Sequence, residues 1–226
     1  MKVKRKDLIS YFEQFITPER KKRIEDVLDK RTRYITVVLE DVYQSHNISA
    51  VLRSCDCFGI NDIHIIENDH KFEYNKEIGV GSFNWLTLIR HNQKQNNTID
   101  AIKKLKKKGY KIIASTPNIN GYDLEDYDIS NGPVAIFFGT ELTGLTNEVV
   151  ENCDSFIRIP LYGFTESLNI SVSAAIILQK LYLKLVQSNI KWHLREKEKE
   201  EIKLTWLRNS IRKSEYLEEQ FFMRNS

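Results

Sequence analysis

Ile35-Thr36-Val37-Val38-Leu39, then Asn47-Ile48-Ser49-Ala50-Val51-Leu52-Arg53-Ser54-Cys55-Asp56-Cys57-Phe58-Gly59, then Ile63-His64-Ile65-Ile66: two short apolar runs flank a segment whose apolar residues recur at helical spacing. Short, mainly apolar runs of four or five residues suit strands buried on both faces, and the intervening segment, stopped by Gly59, suits a helix. The pattern repeats downstream. Lys111–Ser115, Val134–Phe138 and Phe156–Ile159 read as strands, whereas Thr98–Lys108, stopped by Gly109, and Asn147–Asn152 read as helices. Such alternation predicts an α/β fold, a mostly parallel sheet with helices on both faces. Ile170–Val186, a long and mainly apolar segment, reads as a largely buried helix.

Outward from this core the composition changes. Thr17-Pro18-Glu19 forms an N-cap, a first-turn proline and an early acid, and Ile24, Val27 and Leu28 keep helical spacing behind them. The polar surface of that helix carries Arg20, Lys21, Lys22 and Arg23, and Lys30, Arg31 and Arg33 follow it. At the other end, Glu196 opens a charged tail with Leu204, Leu207 and Ile211 at helical spacing, and Trp206, Phe221 and Phe222 as packing groups. The division expected is a basic N-terminal helical extension, 1–33, a central domain, 34–190, and a C-terminal helical extension, 191–226.

The net charge of +3 hides a polarity: residues 1–33 are net +5, 191–226 net +2 and 34–190 net −4. Basic ends on a neutral-to-acidic core suit a polyanion held by the extensions, since neutralising phosphates supplies most non-specific nucleic-acid affinity. Solvated helix faces would give the same count. No stretch reaches the roughly 18 apolar residues of a membrane span, and Met1–Lys6 lacks the apolar run of a signal peptide. Three cysteines, 55, 57 and 153, match neither a disulfide framework nor a zinc pattern, so reduced thiols in the cytoplasm are expected.

Three segments lie where an open α/β sheet places ligands, beyond the carboxyl ends of strands. The first is Asn47–Gly59, in which Ile48, Val51, Leu52 and Cys55 share one face and Arg53 projects from the other beside Ser49 and Ala50. Room beside Arg53 suits an anion, although a capping Asn and a surface Arg are ordinary helix features. The second is Phe138-Gly139-Thr140-Glu141-Leu142-Thr143-Gly144-Leu145, whose glycines permit a tight turn and close approach of backbone to a ligand. The third, Ile159 to Ser173, joins a strand to the long helix; Ser167 or Asn169 could cap that helix, while the loop's backbone groups suit an adenine and ribose. Gly79-Val80-Gly81 lacks the third glycine of a dinucleotide fingerprint, no Gly-Lys-Ser/Thr phosphate loop occurs, and the five histidines show no metal-ligand spacing.

Together the three segments resemble the SpoU, or TrmH, family of RNA ribose methyltransferases in the SPOUT superfamily. The likeness runs from about Arg20 to about Leu207, with Asn47, Arg53 and Gly59, then Gly139, Glu141 and Gly144, then Pro160 through Ser167-Leu168-Asn169 in family order. The basic N-terminal helix and Trp206-Leu207 are similar to the tRNA branch, which methylates a D-loop guanosine at position eighteen. The resemblance implies a C-terminal trefoil knot, a homodimer, S-adenosylmethionine (S-adenosyl-L-methionine) bound in the knot, tRNA as substrate and no metal. By motif position, backbone around Thr116, Gly139, Ile159, Leu161 and Leu168 would hold the cofactor, and Asn47, Arg53, Glu141, Ser167 and Asn169 would form the reaction site. Arg20, Lys21, Lys22, Arg23, Arg31 and Arg33 would contact the RNA. The chain departs from the family in having Glu166 where an uncharged residue is usual, and in a longer N-terminus. Family proposals make Arg53 the base; a guanidinium holds its proton so tightly that fixing phosphate and ribose is the safer role. Methylation of ribosomal RNA and non-catalytic tRNA binding are the competing readings.

Overall fold

A computed structural model describes residues 5–73, 81–117 and 121–225; Gly79 and Val80 lie outside the described residues. The chain divides into two compact units, Thr32–Trp192 and a second made of both ends, Met1–Arg31 with His193–Ser226.

In chain order the helices are α1 (Arg5–Phe12), α2 (Pro18–Leu28), α3 (Ser45–Cys57), α4 (Asn97–Lys107), α5 (Asn147–Asn152), α6 (Ile170–Val186), α7 (Glu196–Ser210) and α8 (Ser214–Asn225). The strands are β1 (Ile35–Glu40), β2 (Asp62–Ile66), β3 (Thr87–His91), β4 (Lys111–Ser115), β5 (Tyr122–Asp123), β6 (Val134–Phe138) and β7 (Ser155–Arg158). They form one sheet in the order β3-β2-β1-β6-β4-β7-β5, and each pair of neighbouring strands in it is parallel. Two edge strands escape the apolar-run pattern. In β3 only His91 is buried, and β5 has just two residues, so neither presents such a run.

Strand residues alternate between two cores because successive side chains leave a strand on opposite faces. Ile35, Val37 and Leu39 of β1 pack in the core that holds Ile48 and Leu52 of α3 and Ile177 and Leu181 of α6. Val38 joins the core of the other face, with Ile102 and Leu105 of α4 and Val149 of α5. Helices thus cover both faces.

Helix α6 departs from expectation. Ala174, Ile177, Leu178, Leu181 and Leu185 are buried, yet Val172, Ile176, Leu183 and Val186 form an exposed apolar stripe on its outer side. It is buried on one face only.

In the terminal unit, Thr17 caps α2 by accepting from the Arg20 amide at 3.2 Å. Lys203 of α7 bridges Glu13 at 2.6 Å and Glu25 at 3.0 Å, and Tyr11 lies 5.0 Å from Phe221 between ring centres. Phe222 stays exposed. Two of the residues expected to contact RNA are engaged within the protein. Arg31 is wholly buried with its guanidinium 5.3 Å over the Trp206 ring, because that flat cation packs favourably on an indole face. Arg33, in the sheet unit, is half-buried and paired with Asp62 at 3.0 Å.

Candidate active site

Ser115, Phe138 and Arg158 end β4, β6 and β7, and beyond them opens a cleft of about 590 Å³. Its walls include Thr116, Gly139, Ile159, Leu161 and Leu168, together with Glu141, Ser167 and Asn169. Asn47 and Arg53 are outside this lining.

The wall after β6 is a closed turn. Thr140 and Gly144 exchange two backbone hydrogen bonds at 3.1 Å, and the Thr140 hydroxyl accepts from the Thr143 amide at 3.1 Å. Gly144 sits at φ +71°, a left-handed conformation that glycine adopts without steric cost. A Cβ on Gly139 would stand 2.1 Å from the Gly144 carbonyl oxygen. The close approach foreseen for a ligand at Gly139 is taken up by the loop itself.

Asn169 ties the wall together. It caps α6, its Oδ1 accepting from the Ser171 amide at 2.9 Å and from the Ser171 hydroxyl at 2.5 Å. Its Nδ2 donates to Asn47 Oδ1 at 3.0 Å and to Glu141 Oε1 at 2.6 Å. Asn47, Glu141 and Asn169 are therefore joined, and the Asn169 amide has both protons and both lone pairs engaged. Glu141 Oε2 meets no partner among the described residues and borders the cleft, so it can accept a hydroxyl or ammonium proton.

Asn47 is not a helix cap. Helix α3 begins two residues earlier, at Ser45, leaving Asn47 buried in the first turn, where its amide also donates to Gln44. Arg53 lies exposed six residues further along α3, about 9 Å by the helical rise. No hydrogen bond among the described residues joins Arg53 to the Asn47–Glu141–Asn169 set. Ser167 lines the cleft, next to Glu166, which lines it too. On the same loop Tyr162 and Phe164 stand almost wholly in solvent.

Sequence reasoning passed over Glu40. This carboxylate, 1% exposed, ends β1 and accepts from Thr98 Oγ1 at 2.6 Å, Thr146 Oγ1 at 2.8 Å and the Thr146 amide at 3.0 Å. It links the start of α4 to the end of the 139–146 loop. The available signal was an acid directly after an otherwise apolar strand, at the ligand-binding end of the sheet. Arg158, another cleft residue, donates to Asp123 on the edge strand. Among the described residues no group of three or more His, Cys, Asp or Glu is arranged to hold a metal, and no helix is long and apolar enough to cross a membrane.

Residues 34–179 match the model of the SpoU rRNA Methylase family. The chain is 42% identical over 210 residues to a tRNA (guanosine(18)-2'-O)-methyltransferase of Borreliella burgdorferi, covering 93% of this chain and 94% of that one. The Aquifex aeolicus TrmH/SpoU tRNA modifying enzyme superposes with a TM-score of 0.76 at 28% identity, over 86% of this chain and 98% of that one. The same fold occurs in the SpoU methyltransferase AviRb from Streptomyces viridochromogenes, solved in complex with the cofactor AdoMet (TM-score 0.59, 21% identity, 73% of this chain and 62% of that one).

Proposed function

Because the chain belongs to the SpoU methylase family, we infer that it is an enzyme that methylates a ribose 2′-hydroxyl of tRNA with S-adenosylmethionine, at the D-loop guanosine in position eighteen. The observation that carries this is a likeness that runs past the family's region, 34–179, into both ends of the chain and along nearly all of a relative named for that reaction.

The cleft suits the cofactor. Its volume lies within the usual range for small-molecule sites, and Ile159, Leu161 and Leu168 offer apolar surface among many backbone groups. When bound, S-adenosylmethionine supplies an electrophilic methyl group on sulfonium. The chain's own part is positioning, which can lower a barrier by several kcal/mol. Asn169 holds the Glu141 carboxylate at the cleft's edge, leaving one oxygen to accept from a ligand. Arg53, exposed and always charged, would grip the phosphate next to the target ribose through a planar pair of N–H donors. Asn47, locked to Asn169, fixes the first turn of the helix that carries Arg53.

The rest of the reading concerns RNA grip and assembly. Arg20, Lys22 and Arg23 of α2 are exposed, and Lys21 is shared with Glu13 at 2.7 Å, so these four remain candidates for tRNA phosphates. The apolar stripe Val172, Ile176, Leu183 and Val186 would be covered by a second copy in a homodimer. The family resemblance supports a trefoil knot made by the loops around the cleft, and tRNA as substrate supports a cytoplasmic enzyme. The test is direct: incubate the protein with labelled S-adenosylmethionine and, in parallel, an unmodified tRNA transcript and unmodified ribosomal RNA, then map 2′-O-methyl groups. Label at position eighteen, lost when that guanosine is replaced, is the expected result; label on ribosomal RNA alone would overturn it.

A further inference from the structure

Residues 34–190 contain 14 Lys/Arg and 18 Asp/Glu, but the cations are not spread evenly. Seven of them, Lys94, Lys103, Lys104, Lys106, Lys107, Lys108 and Lys111, fall with one acid between residues 94 and 111. That stretch is net +6, and the remainder, with seven cations against seventeen acids, is net −10. Taken together, the rest of the central region is acidic, and α4 carries its densest run of cations.

Packing turns this charge outward. Ala101, Ile102 and Leu105 bury one face of α4 against the sheet, while Lys103, Lys104, Lys106, Lys107 and Lys108 are exposed, as is Lys111 at the start of β4. Lys104 is paired with Asp100 at 2.6 Å, and Lys106 lies 3.8 Å from Asp154. Lys103, Lys107, Lys108 and Lys111 meet no carboxylate among the described residues. Lys103 and Lys107, like Lys104 and Lys108, are like charges four residues apart, which destabilises a helix. Lysines in the last turn favour the helix dipole, but Lys103 and Lys111 lie outside that turn. Helix stability alone therefore does not account for the cluster.

We propose that the lysine face of α4, with Lys111, is a phosphate-contact surface for the RNA substrate, separate from the cleft. This rests on the reading that the substrate is a tRNA. The surface and the cleft sit at opposite ends of β4: Lys111 starts the strand and Ser115, its last residue, lines the cleft, about 13 Å apart at the usual strand rise. A substrate that reaches both must be an extended polyanion, which favours folded RNA over a mononucleotide.

The experiment uses the full chain with Lys103, Lys107 and Lys108 replaced together by Ala, substitutions that favour helix and leave the buried face of α4 untouched. Binding of an unmodified tRNA transcript is titrated over a series of salt concentrations, beside methylation at saturating tRNA and binding of S-adenosylhomocysteine. The triple variant should bind tRNA about tenfold or more weakly at low salt, with the log–log salt slope reduced by roughly two to three units. Turnover at saturating tRNA and S-adenosylhomocysteine affinity should match wild type. Wild-type protein that methylates tRNA while the variant's salt titration overlays its own would sink the surface and spare the function. A changed oligomeric state with unchanged tRNA binding would assign the face to a second copy and also refute it. Wild-type protein that neither binds nor methylates tRNA would remove the function, and this surface with it.

Discussion

The side-chain amide of Asn169 donates to Asn47 across 122 residues of sequence, at 3.0 Å, while the same nitrogen holds Glu141. One side chain thus joins the end of the cleft loop to the helix that carries Arg53, and it caps α6 as well. The two duties can be separated. Asn169→Ser keeps a capping hydroxyl and loses both donors, so the helix should lose at most a few tenths of a kcal/mol. Turnover should fall on the order of tenfold to a hundredfold, the equivalent of about 1.4 to 2.8 kcal/mol. Steady-state methylation beside thermal melts decides the matter, and near-normal turnover would reduce Asn169 to a cap.

Arg53 is exposed and has no partner in the Asn47–Glu141–Asn169 set, so its removal should leave the cleft intact. Arg53→Ala should abolish methylation with cofactor affinity and melting temperature unchanged. Arg53→Lys should restore little, since an ammonium lacks the planar fork. Single-turnover rates with calorimetry of S-adenosylhomocysteine binding test both. A lysine variant with wild-type turnover would make Arg53 only an electrostatic anchor.

Strands buried on both faces announce themselves, and β1, β2, β4 and β6 could be read from apolar runs, as could β7 from Phe156 and Ile157 although only Ile157 is buried. Edge strands do not, because half their surface is solvated; β3 and β5 had to be seen in place. Charge was legible as a count and misleading as a location. Arg31 adds to the basic N-terminal total yet lies beneath Trp206, and the basic helix α4 disappeared inside an acidic average. The motifs grouped Asn47, Glu141 and Asn169 through resemblance, but the bonds among them depend on which loops the fold brings together. No local spacing encodes such bonds.

His64 and His91 form a buried pair, with ring nitrogens 2.9 Å apart. Burial is the main cause that pushes His64 down from 6.5 to about 3, with His91, Lys108 and Lys104 adding to it. Burial and Lys104 also lower His91, against an upward pull from Asp100. A depressed folded value means that the unfolded chain binds more protons between about pH 6.5 and 3, so this contribution is complete above pH 6.5 and is lost as pH falls towards 3. The slope from His64 approaches about 1.4 kcal/mol per pH unit. His64→Asn, which does not titrate there, should flatten the fall in stability between pH 6.5 and 4.5. Denaturant unfolding at stepped pH measures this, and parallel curves for variant and wild type would exclude His64 as a source of acid sensitivity.

Glu40 makes the sharpest case for a residue acting on the site without lining it. Its buried carboxylate receives the amide and hydroxyl of Thr146, the last residue before α5, and the hydroxyl of Thr98 in α4. Glu40→Gln keeps the shape but replaces one acceptor by an NH₂ group that faces other donors, at a cost of about 1 to 3 kcal/mol. A general loss of stability would follow from either a structural or a positioning role, so two further variants divide the contacts. Thr146→Val removes the loop hydroxyl and Thr98→Val the helix hydroxyl. If Glu40 sets the loop, the Kd for S-adenosylhomocysteine should rise on the order of tenfold in Glu40→Gln, about 1.4 kcal/mol, by a smaller factor in Thr146→Val, and not at all in Thr98→Val. If it serves only to hold the fold, all three variants should melt earlier with unchanged Kd. The contrast between the two threonines carries the test, because both lose one hydrogen bond to the same carboxylate and only one of them ends the loop that walls the cleft.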